Sequence, residues 1–262
     1  MKTLSKIVIC VLGGLAGLGL AACGQPGDGK TYVLVHGAFM GASGWSEIAD
    51  RLRDEGAEVR TFDLPAHGAD TTPATAASLD AYVARVEAEL DAVNDRAILV
   101  GHSMGGMVIS QVAERRAADL AGLVYVAAYL PASGQSLFDL AMTDTGSELG
   151  AALEFHEATV GVDQGKFVDL FCADCDGGGK AALAAGYNDE PIGPLATKVT
   201  LGAAFAGVHK TYVHTAQDRI VSHGLQNVMV GATPVQREAT LDTSHVPMLA
   251  APDELADILL DE

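Results

Sequence analysis

The sequence predicts an α/β domain built on a mostly parallel sheet of about six strands, with helices on both faces and an inserted helical cap. From Thr31 onward, short apolar runs alternate with longer amphipathic stretches. The 262 residues are 49% hydrophobic, enough for a sizeable core, and only 19% charged, which disfavours a disordered chain or a coiled coil. The 30 glycines favour many tight turns.

Strands are predicted at 31–35, 57–63, 97–100, 122–127, 211–215 and 235–241. The runs at 97–100 and 122–127 are apolar, and 31–35 has the pattern of a buried strand. Between the first two predicted strands, Trp45, Ile48 and Leu52 recur at the spacing of one helix face, and Gly56 can end that helix. Similar faces predict further helices over 79–93 and 107–114 and one that opens at Pro252. Because strands and helices alternate, we expect a mostly parallel sheet covered on both faces.

One segment, about 131–198, interrupts this alternation. It has no clear strand, and a structureless loop of that length is uncommon inside a domain. The segment therefore predicts a cap over a site. Its apolar residues are scattered among glycine, alanine and acidic positions: Leu137, Phe138, Leu153, Phe155, Phe167, Leu170 and Phe171.

The charge balance restricts the kinds of partner. The chain has 16 lysines and arginines against 34 aspartates and glutamates, a formal net charge of −18. Because nucleic acids are bound through basic patches, we expect no nucleic-acid partner. The same balance disfavours electrostatic docking on anionic lipid.

The first 22 residues indicate a signal for export. Lys2 and Lys6 begin it, and the uncharged run 7–20 is short for a membrane span. The sequence LAACG at 20–24 then resembles a bacterial lipobox, in which a lipid is attached to the cysteine before cleavage just ahead of it. An ordinary signal peptide and an uncleaved anchor are the alternatives.

The lipobox resemblance implies a signal peptide over 1–22 and a lipid on Cys23. The protein would then be exported and lipid-anchored to the membrane of a bacterial cell envelope, specifically the outer membrane in a Gram-negative cell. Residues 23–30 are glycine-rich and predict a flexible tether, so the folded domain is expected over 31–262.

The pentapeptide GHSMG at 101–105 predicts a nucleophile at Ser103. A predicted strand precedes this G-x-S-x-G pattern and a helical run follows it, which is the context that lifts a serine hydroxyl out of the end of a sheet. A glycine-rich turn with an incidental serine is the alternative.

A serine nucleophile needs a base, and the base needs an orienting acid. In this architecture the chain order is serine, acid, histidine. Of the eight histidines, His245 follows the last predicted strand, where a loop can reach Ser103. Asp218 follows the strand at 211–215 directly. We therefore predict Ser103, Asp218 and His245 as the catalytic residues; a surface histidine and a helix-capping aspartate are the alternatives.

An oxyanion hole needs two backbone N–H groups aimed at the developing negative oxygen. One belongs to the residue after the nucleophile, Met104, and the other comes from the loop after the first strand. That loop has the sequence HGAF at 36–39, and we assign Ala38 within it. An ordinary strand-to-helix turn is the alternative.

The chain resembles compact α/β-hydrolases of the group that contains plant methylesterases, salicylate-binding esterases, hydroxynitrile lyases and related bacterial esterases. The matching stretches are VLVHGA at 33–38, DLPAHG at 63–68, GHSMGG at 101–106, YVAA at 125–128, QDR at 217–219 and SHVPM at 244–248. The resemblance implies an α/β-hydrolase domain over 31–262 and the same roles for the predicted catalytic and oxyanion residues. Met40 departs from the pattern, since plant relatives often have histidine there. We expect this difference to affect the substrate pocket and not the catalytic residues.

Two of the four cysteines, Cys172 and Cys175, lie in the predicted cap. A redox motif would open a helix after a strand, and a zinc site would need further ligands. A local disulfide suits an exported protein, with two free thiols as the alternative. No metal site is predicted.

These residues predict a serine hydrolase that cleaves a small carboxylic ester through an acyl-enzyme, without a metal or an organic cofactor. A cofactor-free lyase of the same fold and a non-catalytic ligand-binding lipoprotein are the alternatives. Lyases of the resembled group typically carry threonine in the oxyanion loop, glutamate before the nucleophile and lysine after the catalytic histidine. Here those positions hold Gly37, His102 and Val246, which favours the esterase.

Overall fold

The computed structural model describes residues 29–262, which contain nine strands. They are β1 (Thr31–Val35), β2 (Glu58–Thr61), β3 (Ala97–His102), β4 (Leu120–Val126), β5 (Leu153–Phe155), β6 (Thr159–Val162), β7 (Glu190–Pro191), β8 (Lys210–Thr215) and β9 (Arg237–Leu241). Six of them form one sheet in the order β2-β1-β3-β4-β8-β9, and every pair in it is parallel. The predicted fold class is therefore confirmed.

Eleven α-helices accompany these strands in the described part of the chain. They are α1 (Ser46–Asp54), α2 (Leu79–Asp91), α3 (Gly105–Arg116), α4 (Leu137–Ala141), α5 (Gln164–Phe171), α6 (Gly177–Ala185), α7 (Ile192–Ala196), α8 (Ala203–Gly207), α9 (His223–Ala232), α10 (Pro247–Ala250) and α11 (Pro252–Leu260). None of the helices in residues 29–262 combines the length and the apolar character needed to cross a bilayer.

The order of the strands explains why both faces of the sheet are covered. The chain moves from β1 to β2 in one direction and from β2 past β1 to β3 in the other. Because both crossovers are right-handed by rule, α1 and α2 lie on opposite faces. Helices α10 and α11 pack with α1, whereas α3 packs with α2 and α8. The two middle strands β3 and β4 are fully buried apart from Ala121, so the core lies on both sides of them.

Strand β2 is shorter than the predicted strand 57–63 because Asp63, at the end of that range, bonds to the neighbouring loops. The carboxylate of Asp63 accepts hydrogen bonds from the backbone N–H groups of Ala42, at 2.8 Å, and Ala69, at 2.9 Å. These bonds turn the chain away from β1 after Thr61. The result is a tie between the loops that follow β1 and β2, on the edge of the sheet where the site lies.

The segment 131–198 contains four helices, α4 to α7, but the expectation that it has no strand is wrong. Strands β5, β6 and β7 form a small antiparallel sheet within it. These strands have three, four and two residues, too short to produce a recognisable alternation of apolar and polar positions. We call the segment 131–198 the cap below.

The predicted signal peptide 1–22, the predicted lipidation site Cys23 and most of the predicted tether 23–30 lie outside the described residues. They stay predictions here.

Candidate functional site

The site lies where the parallel strands end, at their carboxyl edge. Ser103 directly follows β3, Ala38 follows β1, Asp218 follows β8 and His245 follows β9. In open parallel sheets, ligands bind at this edge, next to the point where the strand order reverses. That point lies here between β1 and β3.

The turn at Ser103 is strained in the way a nucleophile elbow requires. Ser103 has φ of +52°, a conformation that a non-glycine residue adopts rarely. The turn is also crowded, because a Cβ atom on Gly105 would lie 2.8 Å from the carbonyl oxygen of Val35. The glycine at this position therefore allows α3 to start against β1, with Ser103 at the helix N-terminus.

Three predicted residues form one buried hydrogen-bonded chain. The Ser103 hydroxyl lies 2.9 Å from Nε2 of His245, and Nδ1 of His245 lies 2.8 Å from Oδ2 of Asp218. A carboxylate only accepts, so Nδ1 carries the proton and donates it. The unprotonated Nε2 is then free to accept the hydroxyl proton of Ser103, which is the arrangement of a general base.

The carboxylate of Asp218 is held by further donors. Its Oδ1 atom accepts from the backbone N–H groups of Ile220, at 2.8 Å, and Val221, at 3.0 Å. Its Oδ2 atom accepts from the Thr215 hydroxyl at 2.8 Å and from Nε2 of Gln226 at 3.2 Å. These bonds orient the carboxylate towards His245.

The two predicted oxyanion residues flank Ser103. Ala38 and Met104 border the same cavity as Ser103, and Met104 is the N-cap of α3, where the helix dipole is positive. Among the hydrogen bonds of residues 29–262, none uses the backbone N–H of Ala38 or Met104. Both groups are therefore available to an oxygen bound beside Ser103.

The oxyanion loop is fixed by His36 and packed against the nucleophile turn. Nδ1 of His36 donates to the carbonyl oxygen of Gly37 at 2.9 Å, and Nε2 accepts from the backbone N–H of Leu64 at 3.0 Å. Burial, together with neighbouring His67, lowers the pKa of His36 to about 3, so the ring stays neutral. A Cβ atom on Gly37 would lie 2.8 Å from that of Ser103, which explains why glycine stands there.

A cavity of about 220 Å³ opens above Ser103. Most of its wall comes from the cap and is apolar, and no lysine or arginine of the described residues borders it. Met40 does not border it either, so the departure from the plant pattern lies outside the cavity wall. The cap residues on the wall include Leu137, Phe138, Leu153, Phe155 and Phe171, whereas Phe167 and Leu170 lie in the core instead.

Cys172 and Cys175, predicted as a possible disulfide, are joined through their sulfur atoms in the turn between α5 and α6. Both are buried. Cys172, Asp174 and Cys175 lie close enough together to share a metal ion. Because the two sulfur atoms are bonded to each other, only Asp174 of this group still offers a ligand atom. We therefore assign a structural cross-link, and no metal ligands, to these cysteines.

Sequence reasoning missed several residues that support the site. Thr215 and Gln226 hold Asp218, and His102 donates from Nε2 to the backbone carbonyl oxygen of His245 at 2.8 Å. Burial and neighbouring His245 keep the pKa of His102 well below its usual value, so this ring is neutral. Thr215 could have been identified from the sequence, because it lies only three residues before Asp218. Gln226 and His102 have no such local signal.

The fold and the geometry together define an α/β-hydrolase with a serine at its nucleophile elbow. Residues 32–258 match the model of the family described as "Alpha/beta hydrolase family". The chain belongs to this family, and the resemblance predicted from its motifs is confirmed.

Similar proteins include plant esterases. The chain is 27% identical over 257 residues to "Esterase PIR7B" of Oryza sativa subsp. japonica. The aligned region covers 88% of this chain and 94% of that protein. It is 26% identical over 245 residues to "Putative methylesterase 11, chloroplastic" of Arabidopsis thaliana, which covers 88% of this chain. The chain spans only 63% of the length of that second relative.

Similar solved structures share the fold. A pyrethroid hydrolase from Sphingobium faniae JZ-2 superposes with a TM-score of 0.77 at 21% identity, covering 88% of this chain and 96% of that one. The methylesterase protein MES16 from Arabidopsis gives a TM-score of 0.77 at 19% identity, covering 88% and 98%.

Proposed function

We propose that this protein is a serine carboxylesterase that cleaves a small carboxylic ester through an acyl-enzyme. One observation carries the proposal: the hydrogen-bonded chain from Ser103 through His245 to Asp218 lies beside the backbone N–H groups of Ala38 and Met104, which bond to no described residue. This combination supplies a nucleophile, a base with an orienting acid, and donors for a tetrahedral oxyanion. The names of the similar proteins, esterase and methylesterase, support the same reaction class.

In the first half of the reaction, Oγ of Ser103 attacks the ester carbonyl carbon while Nε2 of His245 takes the hydroxyl proton. The carbonyl oxygen becomes negative and accepts hydrogen bonds from the N–H groups of Ala38 and Met104. When the tetrahedral intermediate collapses, the ester C–O bond breaks and His245 gives its proton to the leaving alcohol. Asp218 stabilises the imidazolium that exists between these two transfers.

In the second half, water replaces the alcohol. His245 takes a proton from the water as its oxygen attacks the acyl carbon, and the same two N–H groups stabilise the new oxyanion. Collapse breaks the bond to Oγ, and His245 returns the proton to Ser103, so the acid product leaves and the enzyme is restored. Apart from the ester and the water, the groups in these steps are the side chains of Ser103, Asp218 and His245 and the backbone N–H groups of Ala38 and Met104.

The walls of the cavity support an apolar acyl or alcohol group in the substrate. They are formed mostly by aliphatic and aromatic side chains, and Met142 and Phe155 on the rim are exposed to solvent. Pockets of this character bind ligands chiefly through apolar contact, with a few polar groups that fix orientation. A small aryl or alkyl ester fits that description.

The test is covalent labelling and ester turnover with Ser103→Ala as the matched variant. A fluorophosphonate probe should label the wild type and should not label Ser103→Ala, because the probe reacts with an activated serine. A panel of p-nitrophenyl esters of increasing chain length should be turned over by the wild type alone. A wild type that neither reacts with the probe nor turns over any ester would support the non-catalytic binding protein instead.

We also propose that the protein acts at the cell envelope, anchored by a lipid on Cys23. The support is the sequence LAACG at 20–24 behind a short uncharged run, and several acyl chains on one terminus hold a protein firmly at a membrane. A fatty-acid analogue fed to cells that express the full chain should label the wild type and not Cys23→Ser. Unlabelled wild-type protein released freely from the envelope contradicts the anchor.

A further inference from the structure

A turn of the cap, residues 171–175 between α5 and α6, contacts the residue that precedes His245. The backbone N–H of Ser244 donates to Oδ2 of Asp174 at 2.9 Å, and the Ser244 hydroxyl donates to the other carboxylate oxygen. The Ser244 hydroxyl also lies 3.1 Å from the carbonyl oxygen of Phe171. The Phe171 ring meets the His245 imidazole edge to face, with 5.4 Å between ring centroids. The cap thus contacts the ring of the proposed base and the backbone of the residue before it.

The backbone around His245 has no regular structure of its own. Strand β9 ends at Leu241, and α10 begins at Pro247. Between them, the carbonyl oxygen of Thr243 accepts from the N–H of Gln217 at 3.0 Å, and the carbonyl oxygen of His245 accepts from His102 at 2.8 Å. Ser244 lies between these two residues, and its backbone is held from the cap side by Asp174. Because Asp218 orients only the ring, the position of the His245 backbone depends on these bonds.

The disulfide encloses Asp174 within a short loop. Cys172 and Cys175 are both buried, whereas Asp174 between them lies on the surface with its carboxylate turned to Ser244. Besides the disulfide, the N–H of Cys175 donates to the carbonyl oxygen of Cys172 at 3.3 Å. A covalent link across three residues reduces the conformations open to Asp174, so its carboxylate is held in place before substrate binds.

We propose that Asp174 is a positioning residue that holds the His245 backbone through Ser244, and that the Cys172–Cys175 disulfide keeps Asp174 in the required place. The inference rests on the proposed esterase function, because it assigns Asp174 to the base of that reaction. The proposal makes catalysis depend on the oxidation state of the two cysteines. When the disulfide is reduced, the turn loses its cross-link, and the contact that positions the His245 backbone is weakened.

Steady-state kinetics of Asp174 variants test this role. Asp174→Ala removes both acceptors and should lower kcat by roughly tenfold to a hundredfold, since an error of about 1 Å in a reacting group has that effect. KM should stay unchanged, because neither Asp174 nor Ser244 borders the cavity. Asp174→Asn keeps an oxygen for the Ser244 N–H and should lose less. A loss confined to KM, or an unchanged kcat, overturns the proposal.

Asp176 offers a matched control in the same turn. Its Oδ1 accepts from the backbone N–H of Gly179 at 2.7 Å, at the start of α6, and no bond joins Asp176 to Ser244 among the described residues. Asp176→Asn should keep the wild-type kcat and the wild-type unfolding temperature. An equal loss of kcat in Asp176→Asn and Asp174→Asn would show general damage to the turn and overturn the positioning role.

Reduction of the disulfide gives an independent measurement. Dithiothreitol converts the disulfide to two thiols and is itself oxidised to its cyclic disulfide. The treatment should lower kcat of the wild type but hardly change Asp174→Ala, because both changes remove the same contact and are therefore not additive. Equal proportional losses in the two proteins overturn the proposal.

The two proposals fail in distinguishable ways. Wild-type protein without any Ser103-dependent turnover overturns the esterase function, and this inference with it. Wild-type turnover that is unchanged in Asp174→Ala and under dithiothreitol overturns this inference alone.

Discussion

At the residue scale, the acid of the site is held far more firmly than its base. Asp218 accepts five hydrogen bonds, and two of them come from the backbone just after it. Among residues 29–262, the imidazole of His245 bonds only to Asp218 and Ser103, and it packs between the rings of Phe171 and His102. The orientation of the imidazole therefore depends on these two bonds and on the packing of the two rings, whereas several donors fix the carboxylate.

We expect His245→Ala to lower kcat by roughly 10⁴- to 10⁶-fold and Asp218→Asn by about 10⁴-fold. The alanine removes the base, whereas the asparagine leaves the base in the wrong tautomer because its amide group can donate to Nδ1. Ester turnover at saturating substrate measures both. His223→Ala is the control, since His223 lies at the start of α9 and contacts His214 instead of the triad. Normal turnover in His245→Ala together with a loss in His223→Ala contradicts the assignment.

At the scale of elements, the cap is attached to the body of the domain by a buried ionic contact. Glu190 of β7 accepts from Nε2 of His67 at 2.8 Å and from the Tyr82 hydroxyl of α2 at 3.1 Å. The side chains of His67 and Glu190 are both 0% exposed. Burial by itself lowers the pKa of His67, but the nearby Glu190 carboxylate outweighs it and the pKa is raised. The ring of neighbouring His36 stays neutral, so the charged pair is His67 with Glu190.

This contact predicts a pH-dependent stability. Glu190→Gln should lower the free energy of unfolding by about 1–3 kcal/mol near pH 6, as when a buried group loses its partner. The pairing is fully present below the unfolded histidine pKa of about 6.5 and is lost as the pH rises through the raised pKa of His67. The difference between the wild type and the variant should therefore shrink at alkaline pH, as measured by urea unfolding at several pH values.

A second histidine–carboxylate pair serves as the control for that experiment. Glu238 lies 3.0 Å from His214, but its side chain is 54% exposed. Glu238→Gln should change the free energy of unfolding by no more than about 0.5 kcal/mol, because exposed pairs contribute little. Equal effects of the two glutamine variants at every pH would contradict a special role for the buried pair.

The elements differ in how far the sequence predicts them. Strands β1, β3 and β4 agree with the predicted strands within about two residues at each end, because each is largely apolar and both faces of the sheet bury it. Strand β8 agrees equally well and is also buried, although only Tyr212 and Val213 of its six residues are apolar. The strands of the cap were missed. Their backbone pairing depends on neighbours distant in the chain, such as Val160 with Glu190, and a strand of two residues carries no periodic signal.

At the scale of the whole molecule, the same triad serves an esterase or a lyase, and its surroundings distinguish the two. A lyase that releases cyanide would need a cation beside His245, but Val246 is fully buried next to it and no lysine or arginine of residues 29–262 borders the cavity. Two backbone donors beside Ser103 suit a tetrahedral acyl intermediate instead.

We therefore expect one purified sample to hydrolyse small aryl or alkyl esters and to release no cyanide from mandelonitrile above the buffer level. Both substrates are assayed side by side, with Ser103→Ala as the blank. Cyanide release that depends on Ser103, without any ester turnover, would favour the lyase.

The sequence by itself determined the α/β class, the turn at Ser103 and the choice of His245 and Asp218. These follow from apolar runs, glycine spacing and chain order, which reflect local backbone geometry and the rule that parallel strands bring their ends to one edge. Only the tertiary structure decided how His102 and Asp174 hold the backbone around His245, and how Glu190 joins the cap to His67. Those contacts join residues from 70 to 143 positions apart, and packing, which no local spacing in the chain encodes, brings them together.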